Sequence, residues 1–88
     1  MTYFEWNENK RKHNLEKHGI DFMDAITIFD DPARIEFESN RRGEMRFQTI
    51  GMVHDVVLLL VYTLRGNKTR IISVRRASKN ERKTYYEA

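Results

Sequence analysis

Cysteine is absent from this 88-residue chain, which excludes disulfide bonds, thiolate metal sites and thiol nucleophiles. Proline occurs once, repeats and low-complexity tracts are missing, and 11% of the residues are aromatic, so disorder is not expected. The longest apolar run, Val56 to Tyr62, has seven residues, whereas a membrane-spanning helix needs about 20. The first residues lack the basic and then apolar pattern of a secretory signal. We therefore expect a soluble, cytoplasmic protein.

Changes in hydrophobic period along the chain predict an α+β fold. A strand at residues 3–6 precedes a helix that begins at the Asn7 cap and ends at Gly19, which suits the left-handed cap conformation. Apolar residues at helical spacing predict a second helix, capped by Asp21 and ended by residues 30–32. Period-two patterns then predict four antiparallel strands and a last helix capped by Ser78. These strands are residues 34–38, 45–53, 56–63 and 69–77, with a hairpin loop at 39–43.

The length supports one domain, residues 1–88, with helices packed on a curved antiparallel sheet. The strand at 56–63 is apolar without alternation, which indicates a central strand covered on both faces. Trp6, Phe22 and Phe29 are predicted to belong to the core. Because a domain of this size buries a modest fraction of its surface, oligomerisation or a partner protein would add stability.

Positive charge is concentrated near the end of the chain. Residues 65–88 hold eight Lys or Arg and two Glu, although the whole chain carries a net charge of only +3. In the run from Arg70 to Ser78, arginines alternate with residues suited to burial, which indicates a phosphate-bearing partner. The same charges would also protect a sheet edge against aggregation. Strict alternation predicts that one face carries Arg70, Ile72, Val74 and Arg76 and the other Ile71, Ser73 and Arg75.

The predicted first helix carries a second basic cluster. Lys10, Asn14, Lys17 and His18 lie near one another at helical spacing, and Leu15 is predicted to face the core. The cluster is consistent with a solvated helix face. It is equally consistent with a nucleic-acid groove to which the helix adds positive charge and an imidazole.

The sequence gives no support for a metal or other cofactor. His13 and His18 are five residues apart and are expected to face different directions, and His54 is expected in a turn, so no histidine pair has the i, i+4 spacing of a zinc site. Glycine-rich phosphate loops and nucleophile-elbow motifs are absent. Near the last residues, Tyr85 and Tyr86 are candidates for base stacking or proton transfer.

Taken together, these segments resemble the BrnT family of bacterial toxins, which are type II toxin–antitoxin ribonucleases with a RelE-like fold. The resemblance covers nearly the whole chain in the expected order, and one departure is Asn7, where we expect aspartate. The matching positions are Phe4-Glu5-Trp6-Asn7, Lys10, Asn14, Lys17-His18-Gly19, Phe22, Glu44-x-Arg46, Gly51, Val61-Tyr62-Thr63, Arg70-Ile71-Ile72-Ser73-x-Arg75-x-Ala77, Glu81 and Tyr85.

The resemblance implies an endoribonuclease that inhibits translation and is neutralised by a cognate BrnA-like antitoxin with a DNA-binding domain. It further implies that promoter DNA is bound only through the antitoxin complex, and that the protein forms a homodimer or a toxin–antitoxin heterotetramer. In RelE-like enzymes a 2′-hydroxyl attacks the scissile phosphate without metal and leaves a 2′,3′-cyclic phosphate.

On that scheme, fixed cations stabilise the pentacovalent phosphate, and Arg46, Arg70 and Arg75 are the candidates, expected to converge on one pocket. The candidates for general acid and base are Glu81, Tyr85 and His18, and a lysine whose pKa is lowered by neighbouring cations is a further alternative. Two other functions stay open, namely a non-catalytic nucleic-acid-binding module and a protein-interaction domain that docks an acidic partner helix. The residues expected to bind RNA are Lys17, Arg76, Lys79, Arg82 and Lys83.

Overall fold

The computed structural model describes residues 3–88, and its α+β architecture confirms the predicted order of elements. Among these residues, none of the helices has the length and apolar character needed to cross a membrane. The elements are β1 (Tyr3–Trp6), α1 (Glu8–His18), α2 (Phe22–Ala25), a 3₁₀ segment (Ile26–Asp30), β2 (Ile35–Arg41), β3 (Glu44–Val53), β4 (Val56–Arg65), β5 (Lys68–Arg76) and α3 (Lys79–Glu87).

The strands form one mixed five-stranded sheet in the order β1-β5-β4-β3-β2. The four strands from β2 to β5 are antiparallel neighbours, and β1 pairs in parallel with the first half of β5. β4 lies at the centre, as its unbroken apolar run predicts. Because β1 ends at Trp6, the second half of β5 has a free edge, and α1 packs along it.

Helix boundaries follow the capping residues seen in the sequence. The Asn7 side chain accepts hydrogen bonds from the backbone N–H groups at positions 9 and 10, and Gly19 ends α1 in the left-handed conformation with φ of 70°. At α3, Ser78 and Glu81 form a capping box in which each side chain accepts from the backbone N–H of the other.

The two faces of the sheet are covered to different extents. One, the helix-covered face, packs against α2 and the 3₁₀ segment, with Phe22, Ile28 and Leu60 fully buried in its core. The other, the open face, is covered by α3 at one end, where Leu59 and Tyr85 belong to a smaller cluster. The rest of the open face is therefore less covered than the opposite face.

A β-bulge changes which residues of β5 share a face. Val61 pairs with Ser73 but Tyr62 pairs with Ile71, so Ile72 is an extra residue with no partner opposite it on β4. Arg70, Ser73 and Arg75 therefore share the open face, and Ile71, Val74 and Arg76 share the other. The strict alternation predicted for this strand was wrong beyond position 71.

Two local predictions were also wrong. Leu15 is 43% exposed, and the buried residue of α1 is Asn14, which is 5% exposed. The predicted loop at 39–43 is reduced to the turn Arg42-Gly43, because residues 39–41 extend β2 and pair with β3. Arg41, the last residue of β2, and Arg42, in the turn, consequently stand at the end of a regular hairpin.

Candidate active site on the open face

Arg46 and Arg70 lie in one row across the open face. Thr63 of β4 pairs with Arg70 of β5, and the neighbouring pair Phe47 with Tyr62 places Arg46 of β3 beside Thr63 on its other side. With strands about 4.8 Å apart, the Cα atoms of the two arginines are separated by roughly 10 Å. The Thr63 hydroxyl donates its proton to the carbonyl of Met45 at 2.7 Å, so this proton is not available to a ligand.

Both of these arginines make loose contacts with carboxylates. Arg46 Nε lies 3.4 Å from Glu44 Oε1, and Glu44 is shared with Arg65 at 3.6 Å. Arg70 Nη1 lies 3.5 Å from Glu5 Oε2. Partly exposed pairs of this kind contribute less than about 1 kcal/mol, so either guanidinium group can turn toward a phosphate at little cost.

Arg75 is held differently. Its Nη1 and Nη2 donate to Oε1 and Oε2 of Glu81 at 2.7 and 2.9 Å, a bidentate pair. On β4 its partner is Leu59, four residues from Thr63, which puts Arg75 about 13 Å along the sheet from Arg70. The three arginines therefore do not share one pocket: Arg46 and Arg70 are neighbours, and Arg75 joins β5 to α3.

The contacts of Glu81 and Tyr85 fasten α3 to the rest of the fold. The hydrogen bonds from Arg75 lower the pKa of Glu81 to about 2, so this carboxylate is ionised at neutral pH. Tyr85 donates its hydroxyl proton to Asp31 Oδ2 at 2.6 Å, and that hydrogen bond raises its pKa to about 12. Asp31 Oδ2 also accepts from the Met52 amide at 2.8 Å, which links α3 to β3.

These ion pairs predict a loss of stability in acid. Arg11 lowers the pKa of Asp21 to about 2, as Arg75 does for Glu81. A carboxylate with a depressed pKa stabilises the folded state above its ordinary pKa near 4 and loses that contribution as the pH falls toward 2. We expect the melting temperature to fall between pH 4.5 and pH 2, and Glu81→Gln to show a smaller fall. A melting temperature constant over this range would contradict the prediction.

A first cavity, which we term the α1 cavity, lies between α1 and the bulged part of β5. Its volume is about 230 Å³. His13 and His18 are both among the residues that line it. The lining residues are Lys10, His13, Asn14, Lys17, His18, Ile72 and Ser73.

A second cavity, the hairpin cavity, adjoins the first and has a volume of about 420 Å³. Its lining consists of Lys10, Arg41, Arg42, Glu44 and Arg46, four cationic groups and one carboxylate. Lys10 lines both cavities, which together present basic side chains of α1 and of the β2–β3 hairpin. Such a surface is suited to a ligand that carries successive negative charges.

Comparison with models of protein families shows to which family the chain belongs. A family model described as the ribonuclease toxin BrnT of type II toxin–antitoxin systems matches residues 6–81. The chain belongs to the BrnT family. No individual curated protein matches it. Every residue that lines the two cavities falls inside the matched range, and membership implies a cognate antitoxin as partner.

In this BrnT-family chain the residues predicted to bind RNA are divided among three places. Lys17 lines the α1 cavity, whereas Arg76 lies on the helix-covered face in a cavity with His54 and Asp24. Lys79, Arg82 and Lys83 lie on α3, where Arg82 Nη1 donates to the Ala77 carbonyl at 2.9 Å. Only some of this predicted set can therefore contact one ligand at the same time.

Sequence reasoning did not assign a role to several residues that line the BrnT cavities. Lys10 and His13 were recognisable, because their spacing to Asn14 and Lys17 places them on neighbouring turns of a helix. Arg41, Arg42 and Ser73 gave no usable signal, since their direction depends on the hairpin register and on the bulge. Within residues 3–88, no group of three or more His, Asp or Glu side chains is placed to hold a metal ion.

Proposed function

We propose that this BrnT toxin is a metal-independent endoribonuclease that cleaves cytoplasmic single-stranded RNA on the open face of its RelE-like fold and so inhibits translation. The observation that carries the proposal is the basic lining of the two cavities, which share Lys10. This lining combines guanidinium groups with lysines and imidazoles, and Glu44 is the one carboxylate among the lining residues.

The proposed chemistry is transesterification within the RNA. The 2′-oxygen forms a bond to phosphorus and gives up its proton to a base, while the bond from phosphorus to the 5′-oxygen breaks and an acid protonates the leaving oxygen. The products are a 2′,3′-cyclic phosphate and a 5′-hydroxyl. Negative charge that accumulates on the phosphate oxygens would be stabilised by Lys10, Arg46 and Arg70, the two arginines turning from their loose carboxylate contacts toward the bound phosphate.

Arg75, Glu81 and Tyr85 have a different part in this proposal. The hydrogen bonds from Arg75 to Glu81 and from Tyr85 to Asp31 hold α3 against the sheet. By holding α3 in place, these three residues position the α3 cations Lys79 and Lys83 at one end of the open face. The geometry thus supports catalytic roles for Arg46 and Arg70 more directly than for Arg75.

The cheapest test of the proposed activity is incubation of the purified protein with single-stranded RNA in excess EDTA, followed by analysis of the product ends. We expect cleavage with 2′,3′-cyclic phosphate and 5′-hydroxyl ends. Cleavage that requires added metal would overturn metal independence. Binding without cleavage would favour a nucleic-acid-binding module, and neither activity would favour a protein-interaction domain.

The hairpin arginines predict a measurable salt effect. If Arg41 and Arg42 each contact one phosphate, each Arg→Gln change should reduce the slope of log K against log salt by about 0.7, the value for single strands. An uncleavable 2′-deoxy strand serves as ligand in a fluorescence titration at several salt concentrations. Lys12→Gln is the matched control, because Lys12 lies outside the lining of both cavities. Equal slopes for the hairpin variant and the control would contradict the prediction.

Neutralisation by the cognate antitoxin follows from the same surface. We propose that a BrnA-like antitoxin covers the two cavities with an acidic segment, since charge complementarity speeds and orients such association. Promoter DNA would then be bound by the antitoxin's DNA-binding domain and not by the toxin. Addition of the antitoxin should abolish both RNA cleavage and binding of the uncleavable strand.

A further inference from the structure

We propose that His13 and His18 are the general acid and base of the RNA cleavage reaction, acting from opposite ends of the α1 cavity. This inference rests on the proposed function and adds to it a pair of catalytic residues. One imidazole would accept the proton of the 2′-hydroxyl, and the other would donate a proton to the 5′-oxygen as its bond to phosphorus breaks.

The alternatives for proton transfer have other tasks in the fold. Glu81 is bound by both ends of the Arg75 guanidinium and by the Ser78 amide, and Tyr85 is bound to Asp31. Neither residue is among those that line the α1 cavity or the hairpin cavity. Histidine is the side chain whose ordinary pKa suits proton exchange near neutral pH, and two of the three histidines in the chain line the α1 cavity.

The spacing of the two histidines suits the geometry of the reaction. An in-line displacement places the entering and leaving oxygens on opposite sides of phosphorus, so acid and base must stand apart. Five residues of α-helix correspond to a rise of about 7.5 Å and a rotation of about 140° around the helix axis, and both histidines are among the residues that line the cavity. A phosphodiester held between them would lie over Ser73 on the floor formed by β5.

The helix that carries the histidines is fixed to the sheet. Asn14, next to His13, accepts a hydrogen bond from the Val74 amide at 3.1 Å and donates to the Ile20 carbonyl at 3.1 Å. The bond to Val74 ties α1 to β5 and the bond to Ile20 ties it to the segment that follows the helix, so the imidazoles keep their distance from the floor of the cavity. Precise placement of this kind is what proton transfer to and from a bound substrate requires.

The charged groups around the imidazoles are cationic. Lys10 and Lys17 of α1 line the cavity, and β5 contributes the uncharged Ile72 and Ser73. Arg70 and Arg75 flank Ser73 on the same face of β5, and Arg75 is neutralised by Glu81. A bound phosphate would therefore be held by Lys10 and Lys17 of α1 together with Arg46 and Arg70 of the sheet, while the two imidazoles exchange protons with its ester oxygens.

The test compares His13→Gln, His18→Gln and the control His54→Gln, whose imidazole lies in the turn after β3 and outside the α1 cavity. Each of the first two changes should lower kcat/KM for RNA cleavage in EDTA by about 10²–10⁴-fold, and the control should match the native chain. The native pH profile should be bell-shaped, and each active-site variant should lose one limb. Added imidazole should partly restore activity to His13→Gly and His18→Gly.

The outcomes separate this inference from the function on which it rests. If the native chain cleaves RNA in EDTA but both histidine variants keep its rate and pH profile, the acid–base assignment is wrong and the proposed ribonuclease stands. Loss of activity without a change in the pH profile and without imidazole rescue would also overturn it, because a structural role gives that result. A native chain that cleaves no RNA would overturn the function and the assignment together.

Discussion

The Arg46→Ala variant should cleave single-stranded RNA about 100-fold more slowly than the native chain, the usual loss when one preorganised donor to an oxyanion is removed. Arg46 shares the hairpin cavity with Lys10 and shares a row of the sheet with Arg70. Its contact with Glu44 is long, at 3.4 Å, so the native structure loses little when the guanidinium turns to a phosphate. The effect should appear in kcat, measured in single-turnover reactions with EDTA present.

Two further variants make the interpretation of Arg46→Ala specific. Arg46→Lys keeps the charge but loses the planar fork, so it should recover only part of the activity. Lys12→Ala removes a cation from α1 outside both cavities and should leave the rate unchanged. Thermal melting would show whether each variant is folded. A folded Arg46→Ala protein with the native cleavage rate would remove Arg46 from the catalytic site.

The elements of the fold were readable from the sequence because local chemistry determines them. Asn7 and Gly19 delimit α1, and Ser78 with Glu81 begins α3, as the capping rules require. The central position of β4 followed from its apolar run. Each of these features depends on residues close together in sequence, so no knowledge of the tertiary structure was needed.

The faces of β5 were not readable, because they depend on partners distant in sequence. The bulge at Ile72 is defined by pairing with β4 and lies beside the edge where Asn14 of α1 binds Val74. A single extra residue transfers every later side chain to the opposite face. The bulge places Arg70 and Arg75 on the open face and Arg76 on the helix-covered face, whereas strict alternation would group Arg70 with Arg76.

The exposure of side chains on the edge strand β2 also could not be predicted from a local pattern. Phe37 is 45% exposed on the open face, whereas Glu36 points to the helix-covered side and accepts hydrogen bonds from the hydroxyls of Tyr62 and Thr49 at 2.8 and 3.1 Å. Burial of the phenol together with its hydrogen bond to Glu36 raises the pKa of Tyr62 well above its ordinary value. Glu36 itself stays exposed, and its carboxylate is held by partners on β3 and β4.

The position of the site was predicted only in part for a related reason. Counting charges along the chain directed attention to residues 65–88, yet the two cavities are lined mainly by α1 and the β2–β3 hairpin. A charge count does not show which side chains face the same space or which are already paired. Arg75 illustrates the limit, since its bidentate bond to Glu81 commits it to α3.

Removal of the Asn14 side chain should have the largest effect on stability, because this buried amide connects α1 to both of its neighbours. It accepts from the Val74 amide on the edge of β5 and donates to the carbonyl of Ile20. Asn14→Ala would leave both backbone groups without their partner, at a cost of about 1–3 kcal/mol for the buried Val74 amide and less for the Ile20 carbonyl, whose bond is only partly buried. We expect the free energy of unfolding to fall by about 2–4 kcal/mol in urea titrations.

Variants at and near this position test the two hydrogen bonds. Asn14→Asp keeps the acceptor for Val74 but buries a carboxylate against the Ile20 carbonyl, so at neutral pH it should destabilise the fold at least as much as Asn14→Ala. Asn9→Ala, an exposed change on the same helix, should alter the free energy of unfolding by less than about 0.5 kcal/mol. Since α1 carries the histidines, Asn14→Ala should also lower RNA cleavage under conditions where the variant remains folded. An Asn14→Ala protein as stable and as active as Asn9→Ala would show that α1 is held against β5 by other contacts.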